Sequence, residues 1–379
     1  MGFKCLDEPN HKYEMTLQAL QETNNTNEDQ DLIGLTFPLS IESEDFSGTT
    51  LDDAINDKSN SSKVNWPNEI YHEFMNIVTK YKLSNSCGDR IIKWFNLHTD
   101  FEKSPLPKRT CEGRKFLDNS EISLMKFKEI PITNFQGVNY NFYYQPIIHA
   151  IKALFQTDIT EDFVFHYQQS NTSIKTYGEQ FECDWWKAAE ADIPIDNILL
   201  SIIIYADSTT CDYLGKTTVH PIYISFGNIP NWRRNKSDAK ILVGYLPKIK
   251  SKDINTKNSE SFRRLQRMVF QQCIKILLSP ILNTKDMYFV VKNNIYPFTP
   301  KISVILSDLA EAAIFSGTYS SPTSKSPCCN CLVTNEVLNS MNLSNITIRK
   351  PNEMKKVINE GNQKKFSIHP ESNFFWNFK

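Results

Sequence analysis

The sequence predicts an α/β protein, a mixed sheet with helices preceded by a mainly helical N-terminal region. Three observations carry that expectation. Ile198-Leu199-Leu200-Ser201-Ile202-Ile203-Ile204-Tyr205 is almost wholly apolar and β-branched, which suits a central strand covered on both faces. Phe262, Leu265, Val269, Cys273 and Ile276 step by three and four, with Arg263, Arg264 and Arg267 on the other side, as in an amphipathic helix. A second strand-like run, Lys301-Ile302-Ser303-Val304-Ile305-Leu306-Ser307, ends on Asp308 as the first ends on Asp207.

Composition sets the bounds. With 379 residues, 40% hydrophobic and 12% aromatic, the chain can bury one large core or two smaller ones. No apolar run approaches the roughly 20 residues of a membrane helix, and the start lacks a signal-peptide h-region. We therefore expect no membrane partner and an intracellular setting, nuclear or cytoplasmic. Nine cysteines, of which only Cys328, Cys329 and Cys331 cluster, suggest reduced thiols and not a disulfide framework. A net charge of −1 excludes a polycationic chain, so any DNA contact must come from a local patch.

Along the chain, residues 1–65 read as a disordered lead-in, because residues 22–64 are rich in Asn, Asp, Glu and Ser. Residues 66–190 read as a mainly helical region: Ile70, Phe74, Ile77 and Val78 recur at helical spacing, and Ile91, Ile92, Trp94 and Phe95 form a second short stretch, while residues 125–170 mix strand-like runs with an aromatic-rich helix candidate from Tyr143 to Leu154. Asp184-Trp185-Trp186 with Phe181 reads as packing against the sheet. The core is placed at residues 191–332, and 333–379 is expected to be an irregular segment of a truncated insertion.

Within the core, Pro221 to Phe226 and Ile241 to Leu246 give two further strands after the first. The amphipathic helix follows, then a hairpin around Lys292-Asn293-Asn294, the strand ending at Asp308, and a short helix from Leu309 to Phe315. Strand, strand, strand, helix, strand, helix, with acids closing the first and fourth strands, is the order of an incomplete ribonuclease-H-like sheet. In that topology the first and fourth strands are neighbours, so Asp207 and Asp308 converge.

Two converging carboxylates repel each other unless a cation lies between them, and paired Mg²⁺ or Mn²⁺ ions suit in-line phosphodiester displacement. Asp207 and Asp308 are therefore the candidate catalytic residues and Mg²⁺ ligands. The plainer alternative is that both simply start turns. Cys328 and Cys331 form a CxxC that could supply half of a Zn²⁺ site, with His369 the one downstream histidine; an unmetallated thiol cluster is the alternative. Arg233, Arg234 and Lys236 beside Trp232, and Arg263, Arg264 and Arg267 on the helix, are DNA-binding candidates, or else a solvated surface.

Ordered motifs then point to a family. Ala206-Asp207-Ser208-Thr209-Thr210, His220 to Ile229, Leu242-Val243-Gly244-Tyr245-Leu246-Pro247, Arg264-Leu265-Gln266-Arg267, Ser307-Asp308-Leu309-Ala310-Glu311-Ala312 and the CxxC resemble the catalytic core of Plavaka-type transposases, fungal elements allied to the CACTA group. Lys93-Trp94-Phe95-Asn96 and Gly113 to Asp118 resemble the region before that core. The resemblance implies cut-and-paste DNA transposition: Mg²⁺- or Mn²⁺-dependent strand cleavage and transfer at transposon ends, by a DDE/D acidic triad whose first two members are Asp207 and Asp308, in a protein that can form a homo-oligomer. The triad's third acid comes, in the family, beyond the His369 to Trp376 stretch, and no Asp follows Asp308 here. The expectation is a truncated, transposase-derived protein that is inactive alone, or alternatively a non-enzymatic DNA-binding or partner-binding module.

Overall fold

The computed structural model describes residues 45, 48–59, 65–119, 126–169, 178–212, 217–321, 323–340 and 346–378. Two compact units divide the chain, Ser59–Lys126 forming one and Met1–Lys58 with Phe127–Lys379 the other. Part of the expected lead-in is ordered: helix α1 (Leu51–Ser59) starts at Thr50, whose hydroxyl accepts from the Asp53 amide at 3.2 Å while Asp53 accepts from the Thr50 amide at 3.1 Å. Such reciprocal bonds satisfy two free amides locally and need no long apolar run. Most of the remainder of residues 1–65, with Cys5 and His11, lies outside the described residues.

The smaller unit is helical, as expected. Asn68 caps α2 (Glu69–Lys80) by accepting from the Tyr71 amide at 2.8 Å, and Ser84 caps α3 (Asn85–Leu97) by accepting from the Cys87 amide at 3.2 Å. With α4 (Thr110–Asn119), they enclose Tyr71, Phe74, Met75, Val78, Ile92 and Leu106. Gly88 is required there, because a Cβ would collide with the Thr110 side chain.

The larger unit is α/β, built on a curled seven-stranded mixed sheet. Its first hairpin, β1 (Lys128–Phe135) and β2 (Val138–Tyr144), turns at Gln136 and Gly137, both with positive φ. The hairpin lies within the N-terminal range read as mainly helical, in the part, residues 125–170, where strand-like runs are expected. Its second strand is buried on one face, with Phe142 and Tyr144 inward and Tyr143 exposed, a period of two. Helices α5 (Ile147–Phe155) and α6 (Asp184–Ala191) follow, and Trp186 on α6 is fully buried against Phe181, as predicted.

Next come β3 (Ile198–Ala206), a small ribbon of β4 (Thr209–Thr210) and β5 (Thr218–Val219), then β6 (Pro221–Phe226), the short α7 (Asn231–Arg234) and β7 (Ile241–Tyr245). The chain continues through α8 (Ile254–Asn258), the long α9 (Glu260–Asn283), β8 (Met287–Val291), β9 (Asn294–Leu306), α10 (Leu309–Ser316) and α11 (Pro351–Asn359). The sheet order is β1-β2-β7-β6-β3-β9-β8. Strands β3 and β9 are parallel, and all other neighbours are antiparallel.

Every residue of β3 except Tyr205 is buried, which agrees with the central strand read from its composition. Asn228, fully buried, locks that strand: its side chain accepts from the Ser201 amide at 2.9 Å and donates to Leu199 O at 2.8 Å and Val164 O at 3.0 Å. On α9 all five residues of the predicted stripe are buried. The expected hairpin at Lys292-Asn293 is present, with φ of 49° and 64°. Strand β9 starts seven residues earlier than Lys301, through Pro297 and Pro300, which lack the amide that marks a ladder residue.

The segment expected to be irregular carries α11 and a closing 3₁₀ turn at Phe374–Asn377. Phe374 enters the main core, and the Asn373 side chain donates to Phe315 O at 2.7 Å. No helix among the described residues is long and apolar enough to cross a membrane.

Candidate functional site

Parallel pairing places the two aspartates at one rim. The last registered pair is Tyr205 with Leu306, and Asp207 and Asp308 each follow two residues beyond it. Neighbouring strands are about 4.8 Å apart. Tyr205 OH donates to Asp207 at 3.2 Å, while Asp308 caps α10 by accepting from the Glu311 amide at 2.7 Å.

Two residues not singled out as site candidates complete this rim. His220 stands immediately before β6, and Glu311 lies one turn into α10; His220 Nε2 and Glu311 Oε2 are 3.4 Å apart. Both atoms are buried, and neither makes a hydrogen bond. Burial, then the charges of Asp308 and Asp207, hold the Glu311 carboxyl above its usual range. Burial, aided by Lys248 and opposed by Asp207 and Asp308, pushes the His220 imidazole below its usual value. Each shift favours a neutral side chain. One local signal could have found Glu311: Asp308-Leu309-Ala310-Glu311 has capping-box spacing, which brings a residue at the third helical position back towards the cap.

The rim borders a cleft of about 670 Å³ between α9 and α10, whose lining includes Ser208, His220, Lys248, Arg263, Glu311 and His369. Of the expected basic residues on α9, Arg263 is exposed at this cleft. Arg267 is engaged by Glu371 at 2.8 and 3.0 Å and by Glu260 at 2.7 Å, and Arg264 Nε lies 3.8 Å from Glu371. The other basic set turns largely inward. Arg233 is buried and bidentate with Asp238 at 2.7 and 2.6 Å, and Arg234 meets Glu179 at 3.2 Å, whereas Lys236 is exposed. Carboxylates therefore already occupy most of the guanidinium groups expected to meet phosphates.

Cys328 and Cys331 do meet, in a loop organised by Arg349. That guanidinium donates to the carbonyls of Cys328 at 2.9 Å, Cys331 at 3.1 Å, Phe366 at 2.7 Å and Ser326 at 2.8 Å. For the Cys328 thiol, burial, which raises the pKa, is outweighed by hydrogen bonds from the Asn330 amide and Cys331; burial pushes the Cys331 thiol up. His369 lies elsewhere, against the Tyr319 ring at 4.7 Å. Among the described residues, no three His, Cys, Asp or Glu side chains are gathered to hold a metal ion.

The fold and the rim together define an α/β protein with paired strand-end aspartates beside a cleft. The family model for Plavaka transposase matches residues 118–378, and the chain belongs to that family. It is therefore transposase-derived. The match begins at residue 118, so the likeness expected for Lys93 to Asn96 and Gly113 to Leu117 lies outside it. No curated relative matches the chain.

Proposed function

We propose that the chain handles DNA through a metal-dependent strand-cleavage and strand-transfer centre at Asp207 and Asp308, on a ribonuclease-H-like plan. The observation that carries this is the parallel β3–β9 pair, which ends in both aspartates on one rim. The β7-β6-β3-β9 order, with β3 central, supports the same plan.

The donor set suits a hard cation: each aspartate spends one oxygen on the hydrogen bond already described and keeps a second. Mg²⁺ is commonly held by one or two carboxylates and completed by substrate phosphates, so a third protein ligand is not required for one ion. Bound there, Mg²⁺ or Mn²⁺ would supply Lewis-acid activation at a phosphodiester. The residues themselves fix the geometry: the Asp308 bond to the α10 terminus holds its carboxylate, and Tyr205 orients Asp207.

Incubation of supercoiled DNA with the chain and Mn²⁺ tests this. Nicking that disappears in Asp207→Asn and in Asp308→Asn is expected; nicking indifferent to both substitutions would overturn the assignment. Arg263 and Lys248 at the cleft favour a second reading, a DNA-binding module without chemistry. Salt-dependent binding with no nicking is its expected result. For Cys328 and Cys331, a zinc half-site completed by other ligands is proposed, tested by zinc release on thiol modification.

A further inference from the structure

We propose that a row of exposed aromatic rings across the outer face of the sheet, beside the Asp207 rim, is a stacking platform for single-stranded DNA, on the reading above that the chain handles DNA at that rim.

Alternate residues of β3 divide the two faces of the sheet. Ile198, Leu200, Ile202, Ile204 and Ala206 enter the main core, so Leu199, Ser201, Ile203 and Tyr205 point the other way. Helix α6 covers this outer face at the start of β3, where Trp186 and Leu199 share a buried cluster. At the rim end of the strand Tyr205 is exposed. Ladder register carries the same face across the neighbouring strands: Leu306 and Tyr223 flank Tyr205, and Tyr143 flanks Tyr245. Tyr245 pairs with Pro221, which lies two residues before Tyr223 and so on the same face of β6. Phe127 adds a further ring, its centroid 6.3 Å from that of Tyr245.

The row therefore crosses β9, β3, β6, β7 and β2, four intervals of about 4.8 Å or roughly 19 Å in all. Singly exposed rings are ordinary, whereas a contiguous row marks an interaction surface. Tyr143, Tyr205 and Tyr245 are between 36% and 45% exposed, open enough for a base to lie against each ring. Two of the rings are anchored at the hydroxyl, Tyr205 to Asp207 at 3.2 Å and Tyr143 to Glu129 at 2.6 Å, so little freedom is lost on stacking. Lys248, exposed just beyond β7 and beside His220, brings a cation to the same rim for a phosphate. Tyrosine suits bases, which all present a π-face, and the bases of a duplex are already stacked on one another, so the platform favours single strands.

Anisotropy of a fluorescein-labelled oligothymidylate with the full chain in EDTA reads the platform apart from any metal. Tyr143→Leu and Tyr245→Leu are each expected to weaken binding about fivefold or more. Tyr143→Phe and Tyr245→Phe keep the ring face and should stay within about twofold. A blunt hairpin duplex should bind the Leu variants and the unsubstituted chain alike. In the unsubstituted chain, 5-iodouracil placed in the oligonucleotide should crosslink to tyrosines of the row on irradiation, a readout that needs no variant to fold. Affinity for oligothymidylate unchanged in the double Leu variant, or crosslinks confined to other surfaces, would overturn the platform. A dimer lost in that variant at unchanged oligonucleotide affinity would overturn it too, and would give the face to a second copy of the chain. Nicking in Mn²⁺ that still depends on Asp207 would then leave the aspartate centre standing; absence of binding to either DNA at low salt, without nicking, would overturn both.

Discussion

Replacing Arg233 with Met separates a structural cation from a DNA contact. The guanidinium makes two short bonds to Asp238, at 2.7 and 2.6 Å, and its Nε lies 3.5 Å from Asp162, with only 8% of the side chain exposed. Hydrogen bonds to charged groups contribute about 1.5–3 kcal/mol each. Asp238 is 43% exposed, so water recovers much of its share once the arginine is gone. Met preserves the packing of the stem, which leaves a net cost of about 1–3 kcal/mol. Urea unfolding of Arg233→Met, Asp238→Asn and the double variant reads the pair directly, and a coupling of about 1–2 kcal/mol is expected. Anisotropy with a short duplex at low salt should show affinity within about twofold of the unsubstituted chain, since a surface charge rather than a buried one sets such binding. A destabilisation under about 0.5 kcal/mol together with a tenfold loss of DNA affinity would refute the reasoning.

Asn228→Ala removes the clamp on β3 and should cost about 2–4 kcal/mol in urea unfolding, because one amide and two carbonyls lose their partner. His149, His220 and His369 are all held below the usual histidine value, chiefly by burial. Their contribution to stability is therefore full above about pH 6.5, the unfolded value, and is lost as pH falls through the lower folded values; urea midpoints at pH 7.5 and 5.5 should show the drop, and His→Gln substitutions should flatten it. Cys328, half-buried and with a thiolate favoured by the Asn330 amide, should react with an aromatic disulfide reagent faster than buried Cys331, as measured by comparing Cys328→Ser with Cys331→Ser.

Where one residue type dominates a run, the sequence was a reliable guide. The apolar run of β3 and the stripe of α9 needed no tertiary information, because burial on both faces or on one helical face leaves its own period. The adjacency of β3 and β9, the strands that lead to Asp207 and Asp308, was legible because strand order restricts which ends can be neighbours. Some features were hidden for physical reasons. Pro297 and Pro300 disguised the first half of β9. The arginines looked basic in sequence, but their partners Asp238, Glu179, Glu260 and Glu371 are brought to them only by the fold. Glu311 was not taken as a site residue because a single acid in a capping position is ordinary, and only His220, ninety-one positions earlier, makes its burial conspicuous.

A crystal of the full chain soaked in Mn²⁺ tests the shared rim most directly, through the anomalous signal of the ion. The account predicts one strong peak with an oxygen of Asp207 and an oxygen of Asp308 both within about 2–2.3 Å. Saturating Mn²⁺ that leaves the two carboxylates without a common ion, or that settles on other ligands, would contradict it.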